Sequence, residues 1–381
     1  MYKDVVKFIR DLYNDPSGFI PLHVPTFNGN EKKYLLETID STFVSSVGAY
    51  VDQFELQMQE LTGAKYAIAT VNGTAALHIA IKLAGVEEGD EVLTQALTFV
   101  ATTNALSYEK ATPHFVDVDM NTLGLSPDSL RQRLEEIAEM KNGNCYNKKT
   151  GKRIKACIPM HTFGFPARID EILTICDKYN INVIEDAAES LGSYYKNKHT
   201  GTFGLLGTFS FNGNKTITCG GGGAIVTNDE KIAKLAKHIT TTAKIPHKWE
   251  YVHDQTGYNY RMPNLNAALA CAQLEQLKSF VENKRETAKA YKEFFENYKG
   301  VSHIKEPKDS YSNYWLNAVQ LNNRTERDDF LSLLNDNGVM SRPIWTLMYK
   351  LKMFQNAPKG DMSNSEILES TVGNIPSSVR I

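Results

Sequence analysis

Short runs of β-branched and aromatic residues alternate with helical patterns, and this alternation limits the folds open to the chain. The runs are YAIATV (66–71), EVLTQ (91–95), IKACIP (154–159) and INVIED (181–186), and the first three each lead into a helical stretch. Repeated strand–helix units favour a mainly parallel sheet with helices on both faces. Because such sheets bind ligands at the carboxyl ends of their strands, we expect the functional residues there.

The pattern changes after about residue 250. One long helical run covers 264–298, and the shorter segments YWLNAVQL (314–321) and RDDFLSLLNDNGV (327–339) follow it. A chain of 381 residues also exceeds what one hydrophobic core usually supports. We therefore predict two domains: an N-terminal helix plus a large α/β domain in 1–250, and a small α+β domain in 251–381.

Charge and cysteine content exclude several classes of protein. With 42 Lys and Arg against 44 Asp and Glu, the net charge of −2 gives no electrostatic footprint for nucleic acid. The chain has five cysteines, Cys145, Cys157, Cys176, Cys219 and Cys271, and none of them forms a Cys-x-x-Cys pair. This argues against a disulfide framework and a zinc site, and we therefore expect no metal. Widely spaced, unpaired cysteines are typical of a reduced, cytoplasmic protein.

No stretch of the sequence has the pattern of a membrane segment. The N-terminus alternates charged and apolar residues at helical spacing and lacks the apolar block of a signal peptide. The most apolar long stretch, 66–85, is interrupted by Asn72, Gly73, His78 and Lys82. We therefore expect no membrane span.

Two strand ends carry residues that suit either a ligand or ordinary structure. In VNGTAAL (71–77), Asn-Gly-Thr stands between a strand and a helix, where free N–H groups bind a phosphate or the residues simply cap the helix. In VIEDAAES (183–190), Glu185 and Asp186 end a buried strand. Such an acid either ends in solvent or, inside a crevice, holds a cationic nitrogen.

The stretch SFNGNKTITCGGGGAIVTN (210–228) places Lys215 between a strand and four glycines. A nucleotide phosphate loop is excluded, because Phe209 and Asn214 stand where that motif requires glycine. Two interpretations remain. Lys215 is a surface residue of a hairpin, or it is a partly desolvated amine that forms a Schiff base, with glycines that let the backbone pass close to a planar cofactor.

Taken together, these motifs resemble the nucleotide-sugar aminotransferases of the DegT and StrS group. The resemblance rests on EDAAES, SFNGNK and the glycine run, and it extends over nearly the whole chain through IPLHVPTFNGNE, FVSSVGAYVDQFE, VNGTAALHIAI, GDEVLTQALTFVATTNA, GYNYRMPNLNAALA and NIPSS. Members of this group are pyridoxal phosphate enzymes of fold type I, the aspartate-aminotransferase fold. The resemblance therefore implies an α/β fold, a transaminase activity and pyridoxal 5'-phosphate as cofactor.

The resemblance also assigns cofactor contacts. Lys215 would hold pyridoxal phosphate as a Schiff base and act as general acid and base, and Asp186 would pair with the pyridine nitrogen. Further cofactor contacts would be Ser210, Gly73 and Thr74 at the phosphate, Phe99 stacked on the ring, and Glu189 near the phenolic oxygen, where the family often has glutamine.

Asn259, in GYNYRMP, matches the family asparagine that reaches the cofactor phosphate of a neighbouring subunit. A homodimer with shared active sites would follow. His161 resembles a family histidine on the substrate side, although a lone histidine is usually structural. Tyr314, Arg342 and Trp345 are candidate substrate contacts, although packing explains the two aromatic side chains equally well.

Within the group, the four-glycine run resembles the aminotransferases of the legionaminic acid and bacillosamine pathways. Gly221 stands where many relatives carry glutamate. The implied reaction moves an amino group from L-glutamate to C4 of a nucleotide-linked 4-keto-6-deoxy N-acetylhexosamine, in polysaccharide or nonulosonic acid synthesis. Two alternatives are a GDP-4-keto-6-deoxymannose 4-aminotransferase, similar to perosamine synthase, and a non-catalytic regulator with the same fold. A sugar dehydratase of the same fold would carry histidine instead of Lys215.

Overall fold

Helices and strands alternate through residues 2–380, which are the residues that the computed structural model describes. The helices are α1 Lys3–Leu12, α2 Glu31–Asp40, α3 Ala49–Thr62, α4 Gly73–Leu83, α5 Val100–Tyr108, α6 Pro127–Ile137, α7 Ile169–Lys178, α8 Glu230–Thr240, α9 Asn264–Leu274, α10 Leu277–Phe295, α11 Arg324–Asp336 and α12 Ser363–Thr371. No helix within residues 2–380 combines the length and the apolar character needed to cross a membrane.

The strands form one large sheet and three smaller ones. They are β1 Tyr66–Thr70, β2 Glu91–Gln95, β3 Thr112–Val116, β4 Ala138–Lys141, β5 Asn144–Asn147, β6 Ile154–Ile158, β7 Asn182–Asp186, β8 Tyr194–Tyr195, β9 Lys198–His199, β10 Leu206–Ser210, β11 Gly223–Thr227, β12 Val301–His303, β13 Ser310–Tyr311, β14 Asn317–Leu321, β15 Arg342–Pro343 and β16 Val372–Ile375.

The large sheet has seven strands in the order β1-β11-β10-β7-β6-β2-β3. Only β11 runs antiparallel to its neighbours, and every other adjacent pair is parallel. The strands are short apolar runs buried on both faces, as parallel sheets require. The mainly parallel sheet expected from the strand–helix alternation is confirmed.

Helices cover both faces of this sheet. Along β1, Ile68 packs into a cluster with α4, α5 and α8, while Ala67 and Ala69 pack into a second cluster with α3 and α9. This is the two-residue period of a strand with two buried faces. On the second face α6 and α7 cover β6, where Cys157 lies among their aliphatic side chains.

The smaller domain is built on an antiparallel sheet in the order β12-β14-β16-β15, with α11 and α12 beside it. Phe330 of α11 packs with Val319 of β14 and Ile375 of β16, and Tyr291 of α10 belongs to the same hydrophobic cluster. The expected smaller α+β domain is therefore present.

Packing does not follow the predicted division between 1–250 and 251–381. Val5 and Ile9 of α1 pack against the small domain, and the backbone of Ile20 bonds to Gly338 and Met340 at 2.8 Å each. At the other end, α9 packs into the core of the large domain. The sequence of an amphipathic helix identifies its apolar face but not the partner of that face, which explains the difference.

The long helical run predicted for 264–298 is two helices, with a break at Glu275 and Gln276. Side chains at the break hold the start of α2, because Gln276 donates to Glu31 at 2.6 Å and Glu275 accepts from Asn30 at 2.7 Å. The break thus ties the N-terminal part of the chain to the large domain.

Candidate active site

The predicted site residues meet at one edge of the large sheet. Thr208 of β10 pairs with Asp186 of β7, so these parallel strands end side by side. β1 and β10 are both antiparallel to β11, and β1 therefore ends at the same edge just before α4. Strand ends that are far apart in sequence thus build one site.

Glu185 and Asp186 point to opposite faces at the end of β7. The Glu185 carboxylate accepts hydrogen bonds from His161 at 2.9 Å and from the N–H groups of Gly201, Phe203 and Gly204 at 2.6 to 2.8 Å. Burial alone would raise the pKa of Glu185, but His161 and these backbone donors lower it overall. Glu185 is fully satisfied within the protein and organises the loop after β9.

His161 is placed differently from the expected position on the substrate side. Its ring is completely buried; Nδ1 accepts from the Ala167 N–H at 3.1 Å, and Nε2 therefore donates to Glu185. Both ring nitrogens are used within the chain, which leaves none for a substrate. His161 supports Glu185 instead.

Asp186 is a buried carboxylate without a cationic partner within residues 2–380. Oδ2 accepts from the Thr102 hydroxyl at 2.7 Å, and Oδ1 accepts from the Ala188 N–H at 3.2 Å. Burial raises the pKa of Asp186, while Thr102, the Ala188 N–H and the nearby charge of Lys215 oppose that rise. A protonated ring nitrogen would supply the missing charge, so the residue fits a pyridinium cofactor.

Lys215 is a mostly buried lysine beside Glu189. The lysine side chain is 13% exposed, and its Nζ is 3.3 Å from Glu189 Oε1 and 4.1 Å from the ring centre of Trp315. Glu189 Oε2 accepts from the Phe163 N–H at 2.9 Å. Burial raises the pKa of Glu189 to about 7 despite the charge of Lys215. A carboxyl group that titrates near neutral pH thus lies within hydrogen-bond distance of the lysine amine.

The turn after β1 forms a cradle against Ser210. Asn72 caps α4 by accepting from the Ala75 N–H at 2.7 Å, while the N–H groups of Gly73 and Thr74 have no hydrogen-bond partner within residues 2–380. A Cβ at Gly73 would come within 2.7 Å of Ser210 Cβ. Free N–H groups at a helix start, a hydroxyl and a position without a side chain fit a phosphate group.

Only part of the glycine run is sterically required. A Cβ at Gly223 would lie 2.4 Å from the Asn72 carbonyl oxygen, so β11 passes the cradle too closely for a side chain. At Gly221 the nearest atom, the Val71 carbonyl oxygen, would be 3.7 Å away, which is ordinary contact. Gly221 is therefore the position of the run where a larger residue fits.

Aromatic side chains line the route from α5 to Lys215. Phe99 is 49% exposed at the start of α5, and its ring centre lies 6.4 Å from that of Trp345. Trp345 is 5.0 Å from Phe163, which in turn is 6.4 Å from Trp315. The predicted Phe99 and Trp345 thus belong to one aromatic surface, together with Trp315, which the sequence interpretation missed.

Tyr314 and Arg342 differ in their access to this surface. Tyr314 is buried, and its hydroxyl oxygen accepts from the Glu306 N–H at 3.1 Å, so packing accounts for it. Arg342 is exposed on β15 and has no ion-pair partner among the described residues. The neighbour Trp315, rather than Tyr314, reaches Lys215.

Asn259 is exposed beside the cradle. Its Oδ1 accepts from Arg261 at 3.4 Å, and the carbonyl of Tyr260 accepts from the Val71 N–H at 2.8 Å. The segment therefore runs next to the turn that would hold the phosphate, and the Asn259 side chain is exposed there. Across residues 2–380, no group of three or more His, Cys, Asp or Glu side chains is arranged to hold a metal ion.

Known proteins share both the sequence and the fold. The protein named pyridoxal phosphate-dependent aminotransferase EpsN of Bacillus subtilis (strain 168) is 40% identical over 89% of this chain and 84% of its own length. GDP-perosamine synthase of Escherichia coli O157:H7 is 38% identical over 88% and 87%. The structure of E. coli GDP-4-keto-6-deoxy-D-mannose-3-dehydratase with bound hydrated pyridoxal phosphate has 25% identity, covers 96% of both chains and gives a TM-score of 0.83.

The sequence model of one family also covers nearly the whole chain. It is described as the DegT/DnrJ/EryC1/StrS aminotransferase family and matches residues 25–381. The match includes the strand ends, Lys215 and the small domain. The chain belongs to the DegT/DnrJ/EryC1/StrS aminotransferase family and is a pyridoxal phosphate-dependent aminotransferase.

Proposed function

We propose that this aminotransferase moves an amino group from L-glutamate to C4 of a nucleotide-linked 4-keto-6-deoxyhexose. The observation that carries the transamination chemistry is the buried Asp186, which has no ion-pair partner within residues 2–380 and lies at the same sheet edge as Lys215. When bound, pyridoxal phosphate supplies an aldehyde carbon for an amine and a ring that accepts electrons. Asp186 would hold the proton of the ring nitrogen in a site where little water competes for it.

Lys215 would bind the cofactor and move the protons. Its Nζ would take the proton from the α-carbon of the amino donor and, in the second half of the reaction, deliver one to C4 of the sugar. Glu189, 3.3 Å from this nitrogen and with a pKa of about 7, would keep a proton available beside it. Gly73, Thr74 and Ser210 would hold the phosphate group.

The first candidate for the amino acceptor is GDP-4-keto-6-deoxymannose. The four-glycine run favours the N-acetylhexosamine branch of the family, but three of the curated relatives are GDP-perosamine synthases, 33 to 38% identical to this chain. That likeness supports the alternative. A UDP-linked 4-keto-6-deoxy N-acetylhexosamine is the second candidate. Glycine at position 221 resembles the aminotransferases that use such sugars, and steric contacts do not require a glycine there, because a side chain would fit.

We also propose a homodimer in which each active site uses Asn259 of the neighbouring chain. Large apolar side chains are exposed on two segments: Phe43, Val44 and Val47 before α3, and Trp249, Tyr251 and Val252 before Asn259. The first segment lies beside the start of α9, because Asn264 bonds to the carbonyls of Phe43 and Ser45 at 2.7 and 2.6 Å, and the second segment precedes α9 in the chain. Exposed apolar side chains grouped in this way are typical of an interface.

The cofactor assignment is tested by absorbance and covalent trapping. We expect purified protein to give a visible band with pyridoxal phosphate, borohydride to fix the cofactor on Lys215, and Lys215→Ala to abolish both. Lys231→Ala, which removes an exposed lysine on α8, serves as the control and should leave them unchanged. Fixation on a different lysine would contradict the assignment.

The substrate is tested with a panel of nucleotide sugars. Each 4-keto-6-deoxy sugar, linked to GDP or UDP, is incubated with glutamate, and the product is identified by mass spectrometry and NMR. We expect the GDP-linked mannose derivative to give the 4-amino sugar. Turnover only of the UDP-linked N-acetylhexosamine would select the second candidate, and a cofactor band without turnover of any sugar would indicate a regulator.

A further inference from the structure

Lys215 stands in a part of the chain without regular secondary structure. Residues 211–222, between β10 and β11, form neither helix nor strand. The turn around the lysine supplies a backbone hydrogen bond from the Lys215 N–H to the Asn212 carbonyl at 3.0 Å. A long, flexible side chain delivers its amine to one point only when the backbone beneath it is fixed, so contacts from other parts of the chain must fix this segment.

The two residues next to Lys215 are bonded to the small domain. The Asn214 carbonyl accepts from the indole N–H of Trp315 at 2.6 Å. The Thr216 hydroxyl accepts from the side-chain amide of Asn313 at 3.2 Å. Asn313 and Trp315 both lie just before β14. The backbone on either side of the lysine is therefore held from the other domain.

Trp315 is itself held at both ends of its peptide unit. Its backbone N–H donates to Asn313 Oδ1 at 2.8 Å, and its carbonyl accepts from Nζ of the buried Lys284 at 3.2 Å. The residue is only 5% exposed. Because a tryptophan side chain has just two rotatable bonds, a fixed backbone and a bonded indole N–H leave its ring one orientation.

The Trp315 ring also contacts the lysine amine directly. Lys215 Nζ lies 4.1 Å from the ring centre. An aromatic face attracts a cation that lies within about 6 Å of its centre. Glu189 Oε1 accepts from the same amine at 3.3 Å. The amine is therefore held by an aromatic face and a carboxyl group together.

We propose that Trp315 is a positioning residue that holds the Lys215 amine where the cofactor aldehyde binds, and this inference rests on the assignment of Lys215 in the proposed function. The indole N–H fixes the backbone that carries the lysine, and the ring face supports the amine at the other end of the side chain. The small domain thus sets the position of the reacting nitrogen. A displaced amine would react slowly even with the cofactor fully bound.

The test separates binding of the cofactor from its reaction with Lys215. In that reaction the neutral amine adds to the aldehyde carbon of pyridoxal phosphate, and water leaves as a C=N bond replaces the C=O bond. Stopped-flow absorbance on the cofactor-free protein measures this step at saturating pyridoxal phosphate, at a pH where the rate no longer rises with pH. The amine is then neutral in every variant, so the rate reports its position.

We expect Trp315→Phe, which keeps an aromatic ring but loses the indole N–H, to slow this reaction about tenfold. Trp315→His, whose five-membered ring places an N–H at the corresponding position, should recover part of the loss. The affinity for pyridoxamine 5'-phosphate, measured by calorimetry, should stay close to that of the wild type. This form of the cofactor carries an amine in place of the aldehyde and forms no bond with Lys215.

Phe354→Leu is the matched control. Phe354 is also 5% exposed and belongs to the same hydrophobic cluster as Trp315, but its backbone bonds are to Leu351 and Ala357, in the segment after β15. The control should change neither the rate nor the affinity. A wild-type rate for Trp315→Phe, or equal losses of rate and of pyridoxamine phosphate affinity, would overturn the positioning role. Borohydride fixation of the cofactor on another lysine of the wild type would refute the assignment of Lys215, and the inference with it.

Discussion

Three buried carboxyl groups lie within five residues of one another at the end of β7 and just beyond it, and their environments give them different chemistry. Glu185 is surrounded by N–H donors and the His161 ring, which lower its pKa. Asp186 accepts from a hydroxyl and one N–H but has no cationic partner in the described part of the chain, and burial raises its pKa. Glu189 accepts a hydrogen bond from Lys215 Nζ at 3.3 Å, and burial raises its pKa to about 7. The three side chains have the same functional group, so it is their contacts that decide which of them can bind the cofactor.

Glu189 predicts a dependence of stability on pH. Its folded-state pKa of about 7 lies above the ordinary value of 4.5, so the folded protein keeps a proton that the unfolded chain has lost in this window. The wild type should therefore lose stability as pH rises from about 4.5 to 7. Relative to Glu189→Gln, the loss should be roughly 3 kcal/mol over that window.

Urea unfolding at several pH values, on protein from which pyridoxal phosphate has been removed, measures this difference. Glu282→Gln, which changes an exposed carboxyl group on α10, is the control and should follow the wild type. Parallel curves for the wild type and Glu189→Gln would show that Glu189 does not hold the extra proton.

Thr102 positions Asp186 and should therefore affect the rate. Its hydroxyl donates to Asp186 Oδ2 at 2.7 Å, whereas that of the adjacent, equally buried Thr103 donates to the Val100 carbonyl of its own helix at 3.1 Å. We expect Thr102→Val to lower kcat about tenfold, because a hydrogen bond to a charged group is lost. Thr103→Val should stay within about threefold of the wild type.

The cofactor absorbance band and the pH profile of kcat separate this role from a structural one. Loss of the Thr102 bond should raise the pKa of Asp186 and shift the acid limb of the profile towards higher pH. An unshifted profile with a reduced rate would indicate that Thr102 only supports packing.

At the scale of helices and strands, the apolar runs of the sequence predicted the site residues that lie at the ends of strands. β7 ends at Asp186 and β10 at Ser210, as the buried apolar runs indicated. Trp315 was missed because alternation along an irregular segment does not reveal which of two adjacent aromatic residues faces the site. The packing partner of α1 was missed because an amphipathic pattern shows which face of a helix is apolar but not which element packs against that face.

The start of α4 predicts the effect of a side chain at Gly73. A Cβ there would come within 2.7 Å of Ser210 Cβ, and either the turn or β10 would have to move. We expect Gly73→Ala to weaken binding of pyridoxal phosphate about tenfold or more, because the phosphate cradle would no longer close. Fluorescence titration of the cofactor-free protein measures this affinity.

Gly213→Ala is the control for that prediction. A Cβ at Gly213 would meet no atom within 4 Å, so the affinity for the cofactor should be nearly unchanged. Equal affinities for the Gly73 and Gly213 variants would contradict the assignment of the cradle.

At the scale of the whole molecule, no single domain holds the complete site. Asp186, Ser210 and Lys215 come from the large domain, Trp315 and Trp345 from the small one, and α1 fastens the N-terminal segment to the small domain. The relative position of the two domains therefore sets the distance between the substrate contacts and the reacting amine.

A dimer with shared sites predicts complementation between inactive subunits. In a mixed dimer of Lys215→Ala and Asn259→Ala chains, one site carries both changes and the other carries neither, if Asn259 acts across the interface. Co-expressed chains that associate at random should recover about a quarter of the wild-type activity, well above either parent. Lys215 and Ser210 lie in the same site of one chain, so a Lys215→Ala and Ser210→Ala mixture has no intact site and should stay at the mean of its parents. Recovery in neither mixture, with dimers present in both, would mean that Asn259 serves its own chain.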